Sequence, residues 1–130
     1  MKRFLFVLVL VVFSYSCKEE QTTTEIEVIS PEEMHQISQI EDVQLVDVRR
    51  PEEYQEGYIE GFQNIDFFSD TFAQDIEELD RTKPIIVYCK SGRRSANSAK
   101  ILKEKGFVKI YDLGGGITKW VSEGHEVKMK

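Results

Sequence analysis

The sequence predicts an α/β fold in which a mainly parallel sheet is covered by helices. Short apolar runs alternate with amphipathic stretches from Ile26 onward, which is typical of strands joined by crossover helices. Residues 84–88 are almost entirely apolar, as expected of a strand in the buried middle of such a sheet. A chain of 130 residues with 41% hydrophobic and 31% charged residues suits one ordinary globular domain.

The N-terminal segment is expected to be a signal peptide that is not part of this domain. Lys2 and Arg3 precede an apolar run at 4–13, which is too short to span a membrane, since a spanning helix needs about 20 such residues. Cleavage after residue 16 would leave Cys17 first, and the segment resembles a bacterial lipoprotein signal, in which that cysteine is lipidated. Plain secretion with a free Cys17, or an uncleaved anchor, is the alternative.

Three segments are therefore predicted. They are a signal peptide at 1–16, a lipidated flexible tether at 17–27, whose composition is mostly polar, and a domain at 28–130. This organisation places the protein in the bacterial cell envelope, anchored in a membrane through the lipid on Cys17 and facing the periplasm or the cell surface.

The first half of the domain shows clear start and stop signals. A strand at 25–29 is followed by Ser30, Pro31 and Glu33, which together favour the start of a helix that runs to about Ile40. The next predicted elements are a strand at 43–48, a short helix at 51–54 ended by Gly57, a strand at 63–65 and a helix at 69–79.

The second half follows the same alternation. After the strand at 84–88, a helix is predicted at 95–105, with Ala96, Ala99 and Leu102 forming a narrow apolar face and Gly106 ending it. The remaining predicted elements are a strand at 107–111, a glycine turn at 114–116 and a short helix at 117–121.

Cys89 directly follows the central strand, at the sheet edge where α/β proteins bind their ligands. Its loop leads into a helix, so backbone amides, the helix dipole and nearby cations favour a thiolate over a thiol. Gly92 allows the tight curl of the backbone. The cations are Lys90, Arg93 and Arg94. This pattern predicts a nucleophilic cysteine; the alternative is a buried cysteine that only packs against the strand.

Residues 89–95 resemble the active-site loop of rhodanese-type sulfurtransferases, and the segments 45–54, 56–65 and 113–120 agree with the same family. The resemblance implies a rhodanese-like sheet of about five strands with helices on both faces. It also implies that Cys89 is catalytic and that Asp47 and Arg49 support the pocket. A structural ion pair of Arg49 with Glu53 or another neighbour is the alternative. The residues implied to form the loop and bind an anion are Lys90, Ser91, Gly92, Arg93, Arg94 and Ser95.

The family's chemistry is a two-step sulfur transfer. Cys89 would take sulfur from a small anion such as thiosulfate, carry it as a persulfide, and pass it to cyanide or to a thiol, either small or on a protein. Sulfite and thiolate are able leaving groups, so this scheme needs no metal, no cofactor and no histidine. His35 and His125 are accordingly expected at the surface, and Trp120 in the core.

Several other functions are disfavoured. A net charge of −6 argues against nucleic acid as a partner, and two cysteines with two histidines supply neither a multi-disulfide scaffold nor a zinc site by themselves. A cysteine phosphatase of related fold would need an arginine at the sixth position after the cysteine, where Ser95 stands. A non-catalytic sulfur carrier or partner-binding module remains an alternative to the enzyme.

Overall fold

The computed structural model describes residues 24–40 and 42–130, which form a five-stranded parallel sheet with helices on both faces. The strands are β1 (Ile26–Ile29), β2 (Gln44–Asp47), β3 (Gln63–Asn64), β4 (Ile85–Tyr88) and β5 (Ile110–Leu113). The helices are α1 (Pro31–Ile40), α2 (Pro51–Glu56), α3 (Phe72–Asp75), α4 (Arg93–Glu104) and α5 (Gly116–Ser122). The predicted fold class is confirmed, whereas the predicted signal peptide, the predicted lipidation site at Cys17 and most of the predicted tether lie outside the described residues.

The sheet order is β1-β5-β4-β2-β3, and every neighbouring pair is parallel. β4 lies in the middle, hydrogen-bonded to β5 on one side and β2 on the other, and all four of its residues are fully buried. The apolar run at 84–88 therefore has the central position that its composition indicates.

Each face of the sheet has its own hydrophobic core. One core contains Val87 and Cys89 beneath α4, with Ala99 and Leu102 from that helix. The other contains Ile86 and Tyr88, covered by residues that include Met34 of α1 and Ile117 and Trp120 of α5. Because side chains alternate along a strand, Tyr88 and Cys89 face opposite sides of the sheet.

The start of α1 has the predicted geometry. The Glu33 amide donates to Ser30 Oγ at 3.1 Å, and the Ser30 hydroxyl donates to Glu33 Oε1 at 3.2 Å. Together with Pro31 at the first helical position, this cap satisfies a backbone donor that would otherwise lack a partner.

Two predicted elements differ from the structure. The helix expected at 69–79 is only α3 followed by a 3-10 turn at Ile76–Glu78. The last strand is β5 rather than 107–111, because Phe107 is fully buried in the core as the chain returns from α4 to the sheet. Pairing with β1 and β4 begins only at Ile110.

The buried face of α4 also differs from the prediction. The helix begins at Arg93, and its buried residues are Ser95, Ser98, Ala99 and Leu102, without Ala96. The two serines are tolerated there because their hydroxyls donate to the carbonyl oxygens of Gly92 and Arg94 at 3.2 and 2.8 Å. Gly106, with a φ of +89°, follows the helix as predicted.

In the part of the chain that the structure describes, none of the helices has the length and apolar character that crossing a membrane requires. The C-terminal segment instead lies along the domain, where Tyr58 and Lys128 exchange two backbone hydrogen bonds of 2.8 Å.

Candidate functional site

Cys89 stands at the carboxyl end of β4, on the face of the sheet that α4 covers. The loop that follows it is short: Gly92 already caps α4, with a φ of +117° that side chains rarely allow. The first turn of a twelve-residue helix therefore begins directly beside the cysteine, with the positive end of its dipole toward the loop.

Among the described residues, two polar groups contact the sulfur. The Gly92 amide donates to Cys89 Sγ at 3.0 Å, and Sγ lies 3.5 Å from the Ser95 hydroxyl oxygen. Only 1% of Cys89 is exposed, while Lys90 and Ser91 are exposed on the same loop. The cysteine is thus buried, while the two residues that follow it in the loop are exposed.

Helix α5 holds this loop from the opposite side. The amides of Ile117 and Thr118 donate to the carbonyl oxygens of Cys89 and Lys90 at 2.9 and 3.0 Å. A Cβ atom at Gly116 would overlap the Cys89 carbonyl oxygen, so glycine is required for this close approach. Gly116, in the segment predicted only as a turn, therefore lets α5 approach the cysteine loop.

This contact also orients two further amides. In a trans peptide the N–H group points opposite to the C=O group, so the amides of Lys90 and Ser91 point away from α5. Neither amide donates a hydrogen bond to another described residue. Together with the Gly92 amide they form a small set of donors that an anion in the loop would satisfy.

The three predicted cations have different roles. Arg94 binds Glu53 of α2 through two hydrogen bonds of 2.6 and 3.1 Å. The hydrogen bond to Glu53 raises the pKa of Arg94, and the nearby Cys89 contributes in the same direction. Lys90 and Arg93 are exposed and contribute charge at the surface of the loop.

Asp47 and Arg49 form a buried ion pair with each other, and Glu53, which was named as a possible partner of Arg49, instead binds Arg94. Arg49 Nη2 lies 2.7 Å from Asp47 Oδ2 and also donates to the Gly57 carbonyl oxygen at 2.6 Å. The Tyr88 hydroxyl donates to the same Asp47 oxygen at 2.6 Å. The pair is therefore linked by a hydrogen bond to the residue that precedes Cys89.

Comparisons with known proteins agree with this geometry. The family model described as "Rhodanese-like domain" matches residues 30–123 of the chain. This chain belongs to the rhodanese family. A relative, the thiosulfate sulfurtransferase GlpE of Shewanella oneidensis, is 33% identical over 92 residues, which are 71% of this chain and 89% of that protein.

Two solved structures resemble this chain. A rhodanese-related protein from Thermoplasma volcanium has a TM-score of 0.71 and 29% identity, over 80% of this chain and 99% of that one. The polysulfide-sulfur transferase homodimer of Wolinella succinogenes has a TM-score of 0.67 and 29% identity, over 84% of this chain and 82% of that one.

The two histidines and Trp120 do not contact the sulfur. His35 is exposed on α1, and His125 stacks on Trp120 with ring centroids 4.4 Å apart. Trp120 is buried, and its Nε1 donates to the Glu126 carbonyl oxygen at 2.8 Å. Among the residues that the structure describes, no group of three or more His, Cys, Asp or Glu side chains could hold a metal ion.

Tyr88 is the supporting residue that sequence reasoning did not identify. In the sequence Tyr88 resembles one more apolar residue of a buried strand. In the structure its hydroxyl donates a hydrogen bond to Asp47 and accepts one from the Ile59 amide at 3.0 Å. Burial, and then the charge of Asp47, raise the pKa of Tyr88, so the hydroxyl stays a donor. The one signal in the sequence was the presence of a tyrosine in an otherwise aliphatic strand.

Proposed function

We propose that this rhodanese is a sulfurtransferase that moves a sulfane sulfur from a donor such as thiosulfate to a thiophilic acceptor through a persulfide on Cys89. The proposal depends on one observation. The Gly92 amide, at the start of α4, donates a hydrogen bond to Cys89 Sγ at 3.0 Å. An amide donor and a helix N-terminus favour a thiolate. Two relatives, a thiosulfate sulfurtransferase and a polysulfide-sulfur transferase, support the same reaction class by their names.

The reaction balances without a cofactor. The Cys89 thiolate attacks the outer sulfur of thiosulfate; a sulfur–sulfur bond to Cys89 forms, the bond to the sulfonate sulfur breaks, and sulfite leaves with the electron pair. The terminal sulfur of the persulfide carries the negative charge, which the amides of Lys90, Ser91 and Gly92 would stabilise. Cyanide or a thiolate then attacks that sulfur and regenerates the Cys89 thiolate.

The size of the loop favours sulfur over a larger transferred group. Gly92 already caps α4, so only two residues separate the nucleophile from the capping residue. Ser95, six positions after Cys89, contributes a hydroxyl near the sulfur and no guanidinium. A phosphoryl group would lack the arginine clamp that its oxygens require.

Mass spectrometry of the Cys89 peptide and a turnover assay with cyanide test the proposal. Purified protein incubated with thiosulfate should gain the mass of one sulfur atom on the peptide that contains Cys89, and should convert cyanide to thiocyanate catalytically. Cys89→Ser should abolish both, while Ser91→Ala, which keeps the loop amides, should retain both.

The outcomes separate the alternatives. A persulfide that forms but does not turn over with small acceptors would identify a sulfur carrier for a dedicated protein partner. Absence of a persulfide with both thiosulfate and polysulfide, in protein whose Cys89 is reduced, would refute the proposal.

We also propose that the chain is exported and lipidated on Cys17, for which the support is the sequence of its first 17 residues. In a bacterial host fed a clickable fatty acid, the full chain and Cys89→Ser should both incorporate the label, and Cys17→Ser should not. Label that is absent from the full chain, or that persists in Cys17→Ser, would refute lipidation at this position.

A further inference from the structure

An exposed aromatic side chain lies at the same end of the sheet as Cys89. Phe68 is 54% exposed and has no role in the scheme for sulfur transfer. The amide of the preceding residue, Phe67, donates to the Val48 carbonyl oxygen at 3.1 Å, just beyond the carboxyl end of β2. β2 and β4 are parallel neighbours, so this segment and the cysteine loop lie at the same end of the sheet.

Two arginines hold the ring of Phe68. The guanidinium carbon of Arg50 lies 4.9 Å from the ring centroid, and that of Arg94 lies 5.8 Å from it. Arg94 is itself fixed by the two hydrogen bonds to Glu53, and the ring of Phe67 packs edge-on against Phe68 with centroids 5.4 Å apart. The ring of Phe68 is therefore held in place before a ligand arrives, which lowers the entropic cost of a contact with it.

These side chains border the cysteine loop. Arg93 and Arg94 directly follow Gly92, whose amide contacts the sulfur. Lys90, on the loop itself, lines the same surface groove as Glu53, the partner of Arg94. We call this surface the Phe68 patch, and it consists of Arg50, Phe68, Lys90, Arg93 and Arg94.

The Phe68 patch concentrates positive charge on an acidic chain. It contains four cations, whereas the whole protein has a net charge of −6. Lys90, Arg93 and Arg50 are exposed and form no ion pair with another described residue. A partner with acidic residues would therefore be attracted to this surface and repelled by much of the rest of the molecule, which orients its approach.

The burial of Cys89 makes this surface matter for large acceptors. Only 1% of the cysteine is exposed, so an attacking group has to reach into the loop. Cyanide is small enough to enter without its neighbours contacting the rim, because it has none. A cysteine on a protein instead brings its flanking residues against the rim, where arginines and aromatic rings are the residue types that dominate binding at protein interfaces.

On the basis of the sulfurtransferase function proposed above, we infer that the Phe68 patch docks a protein acceptor whose cysteine is flanked by apolar and acidic residues. The apolar residue packs on the ring of Phe68, and the acidic residues pair with Lys90, Arg93 and Arg50. The acceptor thiolate attacks the terminal sulfur of the Cys89 persulfide. A sulfur–sulfur bond to the acceptor forms, the bond to Cys89 breaks, and Cys89 leaves as a thiolate with the electron pair.

Two synthetic peptides test the class of acceptor. In the acidic peptide a single cysteine is flanked by a leucine and four glutamates; in the neutral peptide, glutamines replace the glutamates. The full-length protein is loaded with thiosulfate, freed of the donor and mixed with each peptide, and mass spectrometry follows the loss of the extra sulfur from Cys89. At low salt, transfer to the acidic peptide should be roughly tenfold faster, and added salt should shrink the difference.

Three variants locate the docking surface. Phe68→Ala should slow transfer to the acidic peptide by about tenfold, which is typical of truncating an important interface residue, and should leave transfer to cyanide unchanged. Arg50→Gln should also slow transfer to the acidic peptide and weaken its dependence on salt. Val108→Ala is the matched control and should change neither rate, since Val108 is 55% exposed but precedes β5, at the opposite end of the sheet.

Three results would overturn docking of an acidic acceptor at the patch. The first is an equal rate of transfer to the two peptides at low salt. The second is an unchanged rate to the acidic peptide in Phe68→Ala, or an equal loss of transfer to cyanide in that variant. The third is dimerisation of the unmodified protein that Phe68→Ala abolishes, which would assign the patch to a second copy of the chain.

A binding measurement separates this inference from the proposed function. Absence of a persulfide would refute the proposed function, and the patch would then be tested without sulfur transfer. A fluorescent acidic peptide with serine in place of cysteine should bind the unmodified protein more tightly than Phe68→Ala, as measured by fluorescence anisotropy at low salt. Equal binding by the two proteins would overturn docking at the patch whether or not sulfur is transferred.

Discussion

Individual side chains divide into those that touch the sulfur and those that hold its surroundings. Gly92 and Ser95 contact Cys89 Sγ directly, whereas Asp47 and Arg49 are buried on the other face, where Asp47 accepts the hydroxyl hydrogen of Tyr88, the residue before Cys89. Buried charges of this kind depend on each other, because the loss of one partner leaves the other without compensation.

Asp47→Asn is expected to lower the free energy of unfolding by about 3 kcal/mol, since the buried Arg49 guanidinium loses its carboxylate. Urea denaturation measures this change. Asp42→Asn removes the same charge from an exposed pair and is expected to have no measurable effect. Equal destabilisation by the two substitutions would contradict the structural role assigned to Asp47.

At the scale of elements, the site is an assembly of one strand, two helix N-termini and the loop between them. β4 brings Cys89 to the edge of the sheet, α4 supplies the Gly92 amide, and α5 holds the carbonyl groups of the loop from behind. The contact with α5 explains why a glycine lies at position 116.

Gly116→Ala is expected to displace α5 from the loop, since the new Cβ would overlap the Cys89 carbonyl oxygen. Persulfide formation from thiosulfate should slow by roughly tenfold to 100-fold, because small displacements of a reacting group have effects of this size. The measurement is the single-turnover rate of mass gain on Cys89.

Gly106→Ala is the matched control. Gly106 also has a positive φ, +89°, but no atom lies within 4 Å of the added Cβ. This variant should lose about 1 kcal/mol of stability from backbone strain alone, with an unchanged rate of persulfide formation. Similar rates in the two variants would show that α5 does not position the loop.

At the scale of the whole molecule, stability depends on pH through groups with opposite shifts. The hydrogen bond from Arg94 lowers the pKa of Glu53, so the stability that Glu53 contributes is present above its ordinary pKa and is lost as the pH falls. Burial raises the pKa of Asp112, so stability is lost as the pH rises through that raised pKa.

Asp112→Asn should therefore increase the free energy of unfolding on the alkaline side of the raised pKa of Asp112, and have less effect in acid, where the carboxyl is already neutral. Urea denaturation at a series of pH values measures the difference. Glu53→Gln should instead weaken the dependence of the free energy of unfolding on pH at acid pH. A stability gain in Asp112→Asn that is the same at every pH would contradict this assignment.

Much of the fold was predictable because its signals are local. The apolar run that became β4, the cap formed by Ser30 and Glu33, and Gly106 after α4 are each visible within a few residues. The errors occurred where tertiary contacts compete with local pattern. Phe107 looks like the start of a strand but is buried in the core before strand pairing begins, and α3 is shorter than its apolar spacing predicts.

The sequence by itself determined the α/β class, the family and the position of a cysteine after a buried strand, because hydrophobic period and motif spacing are properties of neighbouring residues. Only the tertiary structure decided which distant residues meet that cysteine. The α5 amides at 117 and 118 reach the cysteine loop, and Glu53 pairs with Arg94, only because the strand order brings these elements together. A parallel sheet places residues far apart in the chain at one edge, and no local pattern records which of them will be neighbours.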